Sequence, residues 1–196
     1  MALAPEQKVT KEEYFKMLAE SDHKLEFVNG EVVMMTDGSK NHTAIVDNAY
    51  FTLRSNQGEC RAWSSEAGVS INSLNRYYFP DVSVVCGDKS KFNPETKIAQ
   101  LLNPCLLVEV VSETSSDRDR TEKFRAYRQL ESFKEYILID SRSYLIDVFY
   151  RESSEYWHFR SYTLPDQRVK IHSLGIELPV SVFYENVVFA ENENLL

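Results

Sequence analysis

Apolar and polar positions alternate along this chain in two periods, and the switches between them predict an ordered mixture of helices and strands. Thr10-Lys11-Glu12-Glu13 has the capping-box pattern and opens a short helix carrying Tyr14, Phe15, Met17 and Leu18. Lys24 to Val28 and Glu31 to Met35 flank Asn29-Gly30, whose tolerance of positive φ predicts a hairpin with a type I′ turn. From about Asn41 to Asn56 the positions Ala44, Ile45, Ala49, Phe51 and Leu53 suit a helix that Gly58 stops. Cys60 to Ser65, Gly68 to Asn72 and Tyr77 to Cys86 read as strands from their β-branched and aromatic content. The polar stretch Gly87 to Asn103 reads as a loop with one helical turn near Ile98 to Leu101.

Cys105 to Val111 has the pattern of a strand buried on both faces, and a helix follows from about Asp117 to Leu130. Glu135 to Asp140 and Tyr144 to Tyr150 form a second hairpin, and Tyr156 to Tyr162 a further strand. The tail holds an apolar segment at Ile176 to Val180 and a short apolar helix or strand from Val182 to Phe189. This order predicts an α/β (α+β) domain built on one central mixed sheet flanked by helices, with additional hairpins. A chain of 196 residues fits one such domain over 1–196.

Composition narrows the function classes. Only 6 Gly and 6 Pro among 196 residues, with 43% hydrophobic and 27% charged, describe an ordinary globule and exclude fibrous or disordered classes. The net charge of −8 opposes a protein that coats nucleic acid by bulk electrostatics. An enzyme that meets phosphates in one compensated cleft stays compatible with it. The three cysteines, Cys60, Cys86 and Cys105, are odd in number and show no CxxC spacing, so reduced thiols are expected. No basic-then-apolar leader opens the chain and no run approaches ~18 apolar residues, so a cytoplasmic protein without a membrane span is expected.

Against this background three charged residues are misplaced. Glu109 lies between Val108 and Val110, where an ionised carboxylate costs several kcal/mol unless cations or donors meet it. It is either paired to a buried cation or opens onto a polar cleft, and strand alternation puts it on one face with Leu107 and Val111. Asp81 follows Pro80 at the mouth of the next apolar run, a position that also suits a turn. Two carboxylates on two strands are what a hard divalent cation takes, with water and phosphate completing its shell. Lys123 falls on the apolar sector of its helix beside Phe124, Ala126, Tyr127 and Leu130, so it faces the sheet unless its ammonium snorkels to the edge.

These residues, taken together, resemble the PD-(D/E)XK restriction-endonuclease-like superfamily, and within it the Uma-two (Uma2) family. The likeness runs through Lys24-Leu25-Glu26-Phe27-Val28-Asn29-Gly30-Glu31, Asn41-His42, Tyr78-Phe79-Pro80-Asp81-Val82, Leu107-Val108-Glu109-Val110-Val111-Ser112, Asp119 to Phe124 with Tyr127-Arg128, and Glu135 to Asp140. The resemblance implies a restriction-endonuclease-like core and Mg²⁺- or Mn²⁺-dependent hydrolysis of phosphodiester bonds. Asp81 and Glu109 then fill the motif acids, and Glu26 is an additional acid for the metal. The lysine expected two residues after Glu109 is absent, and the resemblance implies that it has migrated to Lys123, which would stabilise charge growing on phosphorus. His42, Tyr127 and Arg120 are candidate substrate contacts. Glu113 stands where relatives usually carry proline.

The expected partner is nucleic acid, DNA, in transient contact, with a homodimer as a further expectation. The competing reading is a catalytically silent interaction or dimerisation module that keeps the nuclease-like sheet and uses the apolar tail to self-associate. A phosphate-binding glycine loop of either common kind is absent from the sequence.

Overall fold

The computed structural model describes residues 8–35, 38–87, 89–112 and 115–189. Helix α1 (Lys11–Glu20) starts on the expected capping box, Thr10 accepting from the Glu13 N–H while Glu13 accepts from the Thr10 N–H. Strands β1 (Leu25–Val28) and β2 (Glu31–Met34) pair antiparallel across Asn29 and Gly30, both at positive φ (50° and 101°). Helix α2 (Lys40–Ser55) is capped by Ser39, whose hydroxyl accepts from the His42 N–H. Then follow β3 (Arg61–Ser64), β4 (Gly68–Ile71), β5 (Arg76–Tyr78), β6 (Val82–Val85), β7 (Gln100–Leu101) and β8 (Leu106–Val111).

The next helix is continuous but changes pitch: α3 (Ser116–Arg118), a π-helical turn (Asp119–Lys123) and α4 (Phe124–Tyr127). Strands β9 (Glu135–Asp140), β10 (Ile146–Arg151), β11 (Trp157–Tyr162), β12 (Arg168–Ile171) and β13 (Ile176–Pro179) precede a final 3₁₀ turn, Val180–Tyr184.

Two larger sheets replace the single sheet read from the sequence. One has five strands in the order β2-β1-β5-β4-β7, the other six in the order β11-β10-β9-β8-β6-β3. β12 and β13 form a separate pair. The expected strand Tyr77 to Cys86 is divided between the large sheets, β5 in one and β6 in the other, with Phe79-Pro80-Asp81 as the crossing. Pro80 has no N–H to give a ladder, which is why neither sheet continues through it. The helical turn expected near residues 98–101 is instead β7, parallel to β4.

The layers run α1, five-stranded sheet, six-stranded sheet, α2, with the helix bearing Lys123 between the sheets. Tyr14 and Leu18 of α1 pack on Leu25, Phe27 and Tyr77 of the outer face. Val69, Ile71 and Tyr78 of the inner face meet Leu107, Val111, Tyr136 and Leu138 of the larger sheet together with Ala126 and Tyr127. Ile45, Ala49 and Leu53 of α2 cover the opposite face at Val84, Leu106, Val108 and Val110. Side-chain alternation thus gives Glu109 the face turned toward the five-stranded sheet. The apolar tail packs into the α2 core through Val180, Phe183 and Tyr184.

The cysteine expectation is corrected. Cys60 and Cys86 form a disulfide, and Cys105 is the free thiol. The antiparallel register of β3 with β6 pairs Arg61 with Val85, so the next residues outward, Cys60 and Cys86, stand opposite with Cα atoms 4.2 Å apart. Tertiary register, not sequence spacing, makes the pair. No helix among the described residues is long and apolar enough to cross a membrane.

Candidate active site

The two sheets and the helix between them enclose a cleft of about 420 Å³. Glu26 reaches it from β1, Asp81 from the crossing, Glu109 from β8, and Asp119 and Lys123 from the π-helical turn. The sequence-predicted residues Glu26, Asp81, Glu109 and Lys123 are therefore brought to one place, all buried.

Lys123 is the centre of the cluster. Its Nζ lies 3.1 Å from Glu26 Oε1, 3.1 Å from Glu109 Oε1 and 3.2 Å from Asp119 Oδ1. Burial works against its charge, but Glu109, Glu26 and Asp119 outweigh it and hold the ammonium pKa well above the usual lysine value. The wider pitch of the π turn, a form that recurs at functional sites, carries both Asp119 and Lys123 into the interior. Tyr127, one turn on, donates its hydroxyl to Glu109 Oε1 at 2.9 Å.

Asp81 is fixed differently. Its Oδ2 accepts the Val110 N–H at 2.7 Å, and His42 Nε2 lies 3.7 Å from the same oxygen. Gly38 seats that imidazole: a Cβ at Gly38 would stand 2.3 Å from His42 Nδ1. Glu26 is the most engaged acid, its Oε1 taking the Phe79 N–H at 3.2 Å as well as Lys123, and its Oε2 lying 2.7 Å from Arg118 Nη1.

Burial pushes the Glu109 carboxyl well above the ordinary glutamate value; Lys123 opposes the shift, and Asp119, Asp81 and Glu26 reinforce it. Burial also raises Asp81, against His42, the Val110 N–H and Lys123. Four carboxylates share the cleft with two permanent cations, Lys123 and Arg118, so the cluster is short of positive charge.

That shortage bears on a metal ion. Among the described residues no group of three or more acids, histidines and cysteines has the arrangement of a protein-only metal site. Mg²⁺ does not require one, since it is held by one or two carboxylates with waters and substrate phosphate. Glu109 is held through Oε1 and Asp81 through Oδ2, and both residues line the cleft. The donor set thus fits a hard divalent cation at Asp81 and Glu109.

The other sequence candidates are placed apart. Tyr127 lies behind Glu109 and does not line the cleft. Arg120 pairs with Asp147 of β10 and bonds Ser116 Oγ at 3.1 Å. The helix cations therefore fan out, with Arg128 over the Phe124 and Trp157 rings. Glu113 lies outside the described residues. Sequence reading missed Asp119 and did not single out Arg118; the i,i+4 spacing of Asp119 with Lys123 is the local signal that could have found the acid.

Residues 11–181 match the family model described as "Uma2: Putative restriction endonuclease". The chain belongs to the Uma2 family. Among relatives, the uncharacterized protein slr1290 of Synechocystis sp. is 31% identical over 189 residues, covering 95% of this chain and 96% of the relative. A second uncharacterized Synechocystis protein, sll1609, is 27% identical over 159 residues, covering 80% and 89%. A crystal structure titled as a "putative nuclease" from Anabaena variabilis superposes with TM-score 0.68 at 17% identity, covering 89% of this chain and 98% of that one. The fold is restriction-endonuclease-like, as the family membership leads one to expect.

Proposed function

We propose that this chain is a metal-dependent nuclease that hydrolyses phosphodiester bonds in DNA, using Mg²⁺ or Mn²⁺ held by Asp81 and Glu109. One observation carries the reading: a buried carboxylate from β8 and one from the crossing between the sheets, each held through a single oxygen, line a cleft whose acids outnumber its cations. Burying charges in that imbalance costs several kcal/mol, and a divalent cation offsets it. Held by Asp81 and Glu109, such an ion would supply Lewis acidity toward phosphate oxygens and water.

The protein's own groups do the rest. The Val110 N–H fixes Asp81 Oδ2, and Lys123 with Tyr127 fixes Glu109 Oε1, so neither carboxylate rotates away from the cleft. Lys123 adds a positive field at the cleft floor where negative charge develops on the phosphoryl group. Glu26 holds Lys123 and Arg118 in place, a supporting role rather than the metal-ligand role implied by resemblance.

The test is nicking of supercoiled and single-stranded DNA with Mn²⁺ by wild type and by Asp81→Ala, alongside thermal unfolding with and without Mg²⁺. Metal-dependent nicking lost in Asp81→Ala, with a metal-induced Tm rise lost in Glu109→Ala, is the expected result. No nicking and no Tm shift would support the silent interaction module instead.

A further inference from the structure

Lys123 and Arg118, the two permanent cations on the cleft, differ in what they have left to give. An ammonium has three N–H donors. Those of Lys123 face Glu26 Oε1, Glu109 Oε1 and Asp119 Oδ1 at 3.1, 3.1 and 3.2 Å, and the residue is only 4% exposed. A phosphate oxygen entering the cleft finds no spare donor there.

Arg118 has five donors in a rigid planar fork suited to phosphate. Nη1 lies 2.7 Å from Glu26 Oε2, and Nε is 3.9 Å from Glu122 Oε1, beyond hydrogen-bond reach. Nη2 is enclosed without a hydrogen-bond partner, and Glu26 Oε2 also lacks a well-directed one despite the close ion pair. An unpaired donor on a charged group is costly, and such exceptions call for an account. The side chain is nevertheless 30% exposed, lies on the cleft wall, and is steadied by the Tyr78 ring, 5.9 Å from its guanidinium carbon.

We propose that Arg118 is the residue that grips the non-bridging oxygens of the substrate phosphodiester, while Lys123 stays bound to its three acids and acts only as a fixed charge. The proposal rests on the nuclease reading above and names a contact that reading does not supply. Arg118 lies five residues before Lys123 on the same helix and lines the same cleft as the acids.

The test measures binding as well as turnover. A short labelled single-stranded oligonucleotide is titrated in Ca²⁺ buffer over a range of salt by fluorescence anisotropy, using wild type, Arg118→Lys, Arg118→Met and the double variant Glu26→Gln/Arg118→Met. The double variant removes both halves of the Arg118–Glu26 pair and leaves Lys123 its contacts with Glu109 and Asp119. Arg118→Met and the double variant should bind about tenfold more weakly and lower the log–log salt slope by about 0.7. Arg118→Lys should keep the slope and still bind more weakly than wild type, because the fork is lost. In Mn²⁺ cleavage the same variants should raise KM more than they lower kcat. Wild-type affinity and slope in all three variants, or full recovery in Arg118→Lys, would overturn the proposal and leave Arg118 as a mere partner of Glu26. If wild type neither binds nor cleaves, the nuclease reading falls and this inference with it.

Discussion

Tyr127 donates its hydroxyl to the same oxygen of Glu109, Oε1, that the Lys123 ammonium approaches, at 2.9 Å against 3.1 Å. A buried carboxylate whose one oxygen is held from two sides has its other oxygen aimed by default. Tyr127→Phe keeps the ring against Tyr78, Phe133 and Tyr136 but deletes that bond. It should cost about 2 kcal/mol of stability in urea unfolding. Mn²⁺-dependent nicking should fall about tenfold, the equivalent of ~1.4 kcal/mol. Wild-type nicking in this variant would show that Lys123 alone sets the carboxylate.

Gly38 and His42 form a second linked pair. A methyl at Gly38 would meet His42 Nδ1 at 2.3 Å, and the imidazole can rotate away more cheaply than the helix can move. Gly38→Ala should therefore lower nicking to the level of His42→Ala while changing stability by only about 0.5 kcal/mol. Wild-type nicking by Gly38→Ala beside a weakened His42→Ala would mean the loop yields and His42 keeps its place by Asp81.

Glu135, remote from the cleft, gives a pH prediction. Burial raises its carboxyl above 4.5, against the N–H groups of Ser173 and His172 that it accepts. A raised acid pKa means the native state holds the proton more tightly than the unfolded chain does. The associated stability is fully present below about pH 4.5 and is lost as pH rises through the native value. Urea unfolding from pH 4.5 to 7 should show stability declining more steeply in wild type than in Glu135→Gln. Equal slopes would remove Glu135 as the source.

The cysteines allow a direct count. Unfolded without reductant, the protein should show one reactive thiol, and after reduction three. In the native state Cys105 should react slowly, because burial pushes its thiol up to about 11 and hides the sulfur. Three thiols in the unreduced unfolded chain would contradict the Cys60–Cys86 bridge.

What could be read from the sequence was what local chemistry determines. The Asn29-Gly30 turn, the Thr10 capping box, the face of Glu109 and the inward side of Lys123 all follow from a few neighbouring residues and a fixed period. The division of Tyr77 to Cys86 between two sheets was signalled by Pro80, but a break in the ladder does not say that the strands on either side change partners. The disulfide and β7 depend on register between segments distant in sequence. Arg118 and Asp119 sit in a helix start crowded with charges, where solvent exposure is the ordinary expectation. Arg118 is tied to Glu26 and the buried Asp119 to Tyr136, which donates to the Asp119 carbonyl at 3.2 Å, and neither contact is visible in a helical wheel.

The Phe79-Pro80-Asp81 crossing makes the cleft a gauge of how the two large sheets lie on each other. Glu26 belongs to one sheet, Glu109 to the other, and Asp81 to the peptide that joins them. A small slip along their shared face, where Tyr78 of one sheet packs with Leu107 and Leu138 of the other, would change the spacing of the three carboxylates with none of them altered. Substitutions deep in that face should therefore act as remote adjustments of activity.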